Sequence, residues 1–425
     1  MVLNSSEKIN PQKTILSCLE EIDAVKLAQE MLRIPSYSGQ EKEMTEFLSE
    51  RMKKVGLEVE LREVEKDRYN VIGRLRGSGE GQSLILNGHI EHNMVGEGWT
   101  KDPFGAVIED GWLYGFVHMK AANAAFLAAA EAIINSGIEL KGDLVIEYVI
   151  GELEGGKGTR QTLEEGIRAD FYIVGEPSDL AILTAYAGHV LIRINVLGRM
   201  KHFATALPSG DKAISAIEKM ANLITALGPS QIPIKPGGWL KFEPRLGFEL
   251  APQINVGVIK GGISRQIQDW RPALLPDFCT MLLDVRTIPG MNFDTVERDL
   301  IGLMESISEK DPEFRYEVER KEDTSFPDEG TDEPRDSYVF GAVTRAHEFV
   351  EKERPQVNGK FPKVCDAIHF ARAGIPGLIY GPGGMYTSRP DERCRVDEIR
   401  TAAKVYALTI ADVCTRIRGE ATPRV

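Results

Sequence analysis

Between residues 83 and 120 the chain reads SLILNGHIEHNMVGEGWTKDPFGAVIEDGWLYGFVHMK. The apolar run Leu84-Ile85-Leu86 has the composition of a buried β-strand. Asn87-Gly88 ends it, so His89 and Glu91 leave on the following loop. His118 closes a second short element, residues 112–117, just ahead of the helix-like AANAAFLAAAEAII. Two more carboxylates sit in the same kind of place. Strand-like 144–150 runs into Gly151-Glu152-Leu153-Glu154-Gly155-Gly156, and strand-like 171–174 runs into Gly175-Glu176-Pro177. Imidazoles and carboxylates at strand exits are the donor set of a divalent-metal site facing a cleft. Taken alone, each histidine would pass for a surface loop residue. The partners elsewhere in the chain shift the balance.

The elements that must carry these loops can be read from periodicity. Residues 20–34 and 40–54 have helical spacing, the second opening behind a plausible cap at Ser36-Tyr37-Ser38-Gly39. Residues 57–61 and 70–75 are strand-like, and helix-like 121–136 stops at Gly137, a common C′ residue. Strands alternating with helices, with polar residues gathered at strand ends, predict an α/β sheet with its site along one edge. Near Gly188 the pattern changes. Residues 192–196 alternate strictly, His202 follows a turn at Gly198, and 212–224 is helical. After a Pro/Gly-rich loop at 228–238 come strand-like 254–259 and 280–284, then helix-like 296–307. This predicts a small α+β domain inserted into the larger one, with acidic residues 328–336 leading back. Helix-like 337–352, strand-like 378–380 and helix-like 396–417 complete the first domain. The expected boundaries are 1–187 and 328–425 for the first domain and 188–327 for the insert.

Composition narrows the function classes. A chain of 425 residues suits two domains, and a net charge of −13 argues against a nucleic-acid or anionic-membrane partner. The five cysteines, Cys18, Cys279, Cys365, Cys394 and Cys414, form no CxxC pair and read as reduced thiols. The N-terminus lacks a signal-peptide pattern, and residues 121–134 are too short to span a bilayer and are interrupted by Glu131. The expectation is a soluble cytoplasmic protein. Ser6, Ser36 and Ser209 sit in no nucleophile elbow, and no glycine-rich phosphate loop precedes a helix.

The motifs resemble the aminoacylase–acetylornithine deacetylase–glutamate carboxypeptidase family of dinuclear zinc hydrolases. The blocks are NGHIEHNMVGEGWTKDPFGAVIEDGWLYG, GELEGGKGT, VGEP, GRMKHFAT, INVGVIKGG, LDVRTIPG and GPGGMYTSRPDE. The resemblance implies a catalytic α/β sheet domain interrupted by an inserted α+β lid/dimerisation domain. It places His89 as the first metal histidine, His118 where a bridging Asp belongs, and Glu176 as a carboxylate ligand. Leu153 stands at the position of the other carboxylate and Ser388 at that of the C-terminal histidine. Glu152 matches the general acid/base, and Glu91 a residue that orients His89. His202 matches a lid donor to oxyanion or substrate, expected to enter the partner subunit's site. Arg286 matches a lid arginine for substrate carboxylates; the plainer reading is a strand arginine paired with Asp284. No role carries over to His92, His189, His347, His369 or Asp366, and Glu154 is read as surface.

These departures are consistent with one another. Leu153 and Ser388 remove both private ligands of one metal, and an imidazole at 118 does not readily bridge two ions as a carboxylate does. His89, His118 and Glu176 remain as a two-His, one-carboxylate set with open positions. The expectation is therefore one divalent ion per chain. Zn²⁺, Fe²⁺ and Mn²⁺ are all possible on these donors, and the resemblance favours manganese. The leading activity is metal-dependent hydrolysis of a non-peptide C–N bond; the resemblance to a single-metal branch of the family implies removal of the amine from an activated aromatic ring. The alternatives are a peptidase or N-acyl-amino-acid deacylase, and a catalytically inactive binding dimer. The expected partners are a small-molecule substrate and a second copy of the chain.

Overall fold

The computed structural model describes residues 10–206, 213–230, 234–249, 251–267, 272–321, 326–357 and 363–419. The chain divides into two compact units. One is Met1–Thr184 with Glu333–Gly359 and Cys365–Val425; the other is Ala185–Asp332 with Lys360–Val364. An α/β sheet unit interrupted by an inserted α+β unit is the fold class that the sequence predicts.

The first unit is built on a six-stranded sheet. Its order is Glu58–Glu65, Arg68–Leu75, Leu144–Val149, Leu84–His89, Phe171–Val174, Gly377–Ile379. The last four strands are parallel, and the first two form an antiparallel hairpin attached to Leu144–Val149. All six residues of both Leu84–His89 and Leu144–Val149 are buried, as expected for strands covered on both faces. Helix Lys120–Ser136 lies against the sheet with almost every residue buried. Its run of alanines lets helices Ala24–Leu32 and Val396–Cys414 approach closely. A helix apolar all round belongs in a core. Truncating one of the buried strand residues, such as Leu86, would cost about 2–5 kcal/mol.

The N-terminal prediction needs correction. Residues 20–34 are not one helix: Pro11–Glu20 and Ala24–Leu32 are separate. Asp23 starts the second by accepting from the Lys26 N–H at 3.0 Å, and an Asp side chain at that position stabilises a helix start over continuation. Several short elements also escaped the sequence reading. They are strands Ile108–Glu109 and Arg393–Arg395, which form a small sheet with Trp112–Tyr114, the strand part of the short element expected at 112–117, and helices Lys157–Glu164 and Ala367–Arg372. None is long enough to show a period.

The second unit carries a four-stranded antiparallel sheet in the order Gln253–Gly262, Phe278–Thr287, Gly188–Leu197, Arg315–Arg320. Alternation explains it: Val190, Ile192, Ile194 and Val196 are all buried in one cluster with helices Ala216–Leu227 and Phe293–Lys310. Residue 212, the predicted start of the first of these helices, lies outside the described residues, and the helix begins at Ala216 behind the Ser215 cap. The Arg315–Arg320 strand, absent from the sequence reading, alternates in the same way, with Tyr316 and Val318 packed inward. Part of the acidic stretch 328–336 is ordered. Thr331–Asp332 pairs with Ala185–Tyr186, and Asp328 accepts from the Phe293 N–H at 3.0 Å.

Candidate metal centre

Three adjacent parallel strands place the chemistry. In the Leu84–His89 strand, His89 lies opposite Val149 and Asn87 lies opposite Val174. The loops carrying Glu91, Glu152 and Glu176 therefore leave the sheet side by side. His118 arrives from the loop that opens helix Lys120–Ser136. That helix also fixes His89: the Asn123 amide donates to the His89 carbonyl at 2.8 Å. Only glycine allows this approach, since a Cβ at Gly88 would fall 2.0 Å from Asn123 Oδ1.

At the strand ends the donor atoms converge. His89 Nε2 lies 3.3 Å from His118 Nε2 and 3.5 Å from Glu176 Oε1, and His118 Nε2 lies 3.0 Å from Glu176 Oε2. Edges of this length belong to donors about 2 Å from a common centre, the bond length of Zn²⁺ and similar ions. Among the described residues this is the one group of three or more His, Cys, Asp or Glu that converges this way. The tautomer of His89 also fits. Its Nδ1–H donates to the Glu91 carbonyl at 2.9 Å, which leaves the Nε2 lone pair facing the cluster.

Electrostatics favour positive charge at this point. Burial acts against a charged His89, but Glu176, Glu91 and Glu152 outweigh it and hold the imidazole up to about 10. Glu152 is buried, and burial pushes its carboxyl well above the usual range, with Glu176, Asp366 and Glu91 adding to the rise and His89 opposing it. Asp366 is pushed to about 8, first by burial and then by Glu91 and Glu176, against the pull of His89. Four buried carboxylates around two imidazoles call for a compensating cation. The donor set fits a divalent metal.

Glu91 acts differently from the sequence expectation. It is fully buried, but the group that meets His89 Nδ1 is its backbone carbonyl; its carboxylate lies 4.0 Å away. Glu91 Oε1 instead accepts from the Leu153 N–H at 3.1 Å, which ties it to the Glu152 turn. Leu153 itself is exposed and supplies no donor. Glu154 is engaged rather than free on the surface, bound by Arg68 at 2.8 Å and Lys157 at 2.7 Å. The other side of that turn is held by His369, whose Nε2–H donates to the Gly155 carbonyl at 3.0 Å. His92 is likewise structural: its Nε2 accepts from the Ser36 N–H at 2.9 Å and its ring stacks on Phe116.

His202 and Arg286 belong to the second unit. His202 is half-buried at the start of the short helix Phe203–Ala206, with Nδ1 accepting from the Ala204 N–H at 3.3 Å and the ring stacked on Phe203. Arg286 donates to Asp284 Oδ2 at 2.7 Å, as in the plainer reading of this residue. His189, opposite Arg286 across the strand pair, sits 3.4 Å from the other Asp284 oxygen. Burial would raise Asp284, but His189 and Arg286 hold it below the ordinary carboxylate range.

The sequence reading missed two residues beside His118. Ser388 figured only as a lost ligand, yet its Oγ lies 3.4 Å from His118 Nδ1. Glu392 had no role, yet its buried carboxylate accepts from the backbone N–H of His118 at 2.9 Å and of Ser388 at 2.6 Å. The signal was the RPDE tail of the GPGGMYTSRPDE block, an acidic residue in a polar loop with no visible partner.

Comparison with known proteins adds four likenesses. The sequence profile of peptidase family M20/M25/M40 matches residues 85–412. The N-formyl-4-amino-5-aminomethyl-2-methylpyrimidine deformylase of Bacillus subtilis is 28% identical over 389 residues, covering 86% of this chain and 88% of that protein. The acetylornithine deacetylase of Vibrio campbellii is 28% identical over 388 residues, covering 89% and 94%. Among solved structures, human carnosine dipeptidase 1 superposes with a TM-score of 0.75 at 15% identity, covering 95% of this chain and 98% of that one, a likeness of fold.

Proposed function

Because this chain belongs to peptidase family M20/M25/M40, whose members are metal-dependent hydrolases, we propose that it hydrolyses a C–N bond with one divalent ion per chain. His89, His118 and Glu176 are its ligands, and manganese is the ion we assign. The substrate class is an activated aromatic amine: 5-nitroanthranilate and water give 5-nitrosalicylate and ammonia. The observation that supports the one-ion part of this reading is the one convergent donor group among the described residues, with Leu153 exposed and Ser388 turned toward His118 Nδ1.

When bound, the ion supplies Lewis acidity that brings the pKa of a water toward neutrality. Glu152, buried beside the donor group, accepts the proton of the attacking water and returns it to the departing nitrogen. The new C–O bond forms at the ring carbon that bears the amine, and the C–N bond breaks. The nitro group para to the amine takes up the developing negative charge, so less stabilisation is asked of the protein than at an amide carbonyl. Glu91 orients His89 through its carbonyl. His202 and Arg286, in a lid that dimerises, bind the nitro or carboxylate oxygens, with His202 serving the partner subunit's site.

N-deacylation is the second reading, favoured by the likeness to a deformylase and a deacetylase over 86% and 89% of the chain. Ammonia release from 5-nitroanthranilate, run beside hydrolysis of N-acetyl amino acids, an N-formyl aminomethylpyrimidine and dipeptides, separates the two. Brisk N-acyl hydrolysis with no turnover of the nitroaryl amine would replace the first reading with the second. An inactive binding dimer would turn over none of them; the complete donor group and the buried Glu152 speak against it.

A further inference from the structure

We infer that Ser388 is a positioning residue for His118, and that Glu392 holds it in that role. The inference rests on the proposed metal reading, since it concerns how one ligand is aimed. A histidine that binds through Nε2 is oriented by whatever its Nδ1–H meets. For His89 that partner is the Glu91 carbonyl. For His118 it is Ser388 Oγ at 3.4 Å, which accepts from Nδ1–H and leaves the Nε2 lone pair toward His89 Nε2 and Glu176.

The backbone shows that this placement is imposed. Ser388 has φ +55°, a left-handed conformation that a residue with a Cβ adopts only when its surroundings require it. The surroundings are visible. One buried carboxylate, Glu392, takes the Ser388 N–H on Oε2 and the His118 N–H on Oε1, so the two residues are clamped to the same group. The Glu392 carbonyl accepts from Gly115 at 3.0 Å, which secures the clamp to the strand leading into His118. A loop held only for folding would favour glycine at a left-handed position. The serine is retained at a disfavoured φ, and its hydroxyl is what glycine lacks.

Ser388→Gly separates the two roles. Glycine relieves the left-handed backbone, so the melting temperature of the metal-free chain should stay level or rise. Loss of the hydroxyl should weaken Mn²⁺ or Zn²⁺ affinity about 10–100-fold, measured by competition with a chelator. Ser388→Ala, which keeps a Cβ, should lose metal affinity to the same degree. Unchanged affinity in both variants, or a loss in glycine alone, overturns the inference, because the hydroxyl would then be irrelevant. His118→Ala is the control on the premise. If it binds the ion as tightly as the natural chain, the ligand assignment itself fails, and that failure is distinct from the serine's.

Discussion

The two units hold their polar side chains in opposite ways. At the strand ends of the first unit, His89, Glu91, Glu152 and Glu176 are all buried, and the donor atoms already face one another at 3.0–3.5 Å. In the second unit, His202 is half-buried just ahead of a four-residue helix, and Arg286 is engaged by Asp284 at 2.7 Å. Buried groups need rigid partners to offset desolvation, whereas half-exposed ones stay adjustable. The first arrangement suits a fixed ion and the second a substrate that comes and goes.

Removing a donor from the fixed side should have the largest effect. His118→Ala should abolish stoichiometric metal and all metal-dependent turnover, whereas the natural chain is expected to retain about one ion after dialysis. Two tightly held ions per natural chain, by elemental analysis, would break the assignment. Next comes Glu152→Gln, expected to lower kcat by about 10²–10⁴ with metal content intact. A variant that lost its metal as well would make Glu152 a ligand and erase the distinction drawn here.

On the adjustable side, His202→Ala should lower turnover by about 10²–10³ and leave metal content alone. If His202 serves the partner's site, mixing His202→Ala with Glu152→Gln chains should restore activity through one intact site per mixed dimer. No recovery despite proven subunit exchange would confine the site to one chain. Arg286→Met should be milder, raising KM about tenfold with kcat little changed, because Asp284 keeps His189 as a partner. A fall in kcat alone would place Arg286 in the reaction instead.

The smallest effect concerns histidines that lie outside the donor group. Burial lowers His92 and His369 to about 4, while an unfolded histidine titrates near 6.5. Between those values the unfolded chain binds protons that the fold excludes. Their contribution is therefore complete above about pH 6.5 and is lost as pH falls toward 4. His92→Phe should flatten the acid limb of a denaturation-midpoint profile in that window; an unchanged slope would show that another group causes it.

Much of the first unit was legible because its signals are local. The runs around Leu144 and Phe171 each stop at a glycine, so their exits could be placed before any contact was known; the Leu84 strand instead continues through Asn87-Gly88, and His89 is its last residue. Helix Lys120–Ser136 announced itself by its alanines and Gly137. The break at Asp23 was also written locally, as an N-cap, but a longer apolar period hid it. The Arg315–Arg320 strand is weaker as a local signal, since only Tyr316 and Val318 of its six residues are apolar.

The sequence by itself picked out the side chains of the candidate cation site: two histidines and a carboxylate at or just beyond strand ends, whose donor chemistry depends on residue type alone. Only the tertiary structure decided how those donors are aimed. Glu91 was read as a side-chain partner of His89, and it acts through its carbonyl, because the strand exit brings the backbone closer than the carboxylate. Ser388 lies 270 residues from His118 and Glu392 lies 274, so no spacing rule connects them. Their meeting depends on how the returning segment packs against the loop before Lys120. An orienting hydrogen bond is set by distance and angle, quantities that a linear order of residues does not contain.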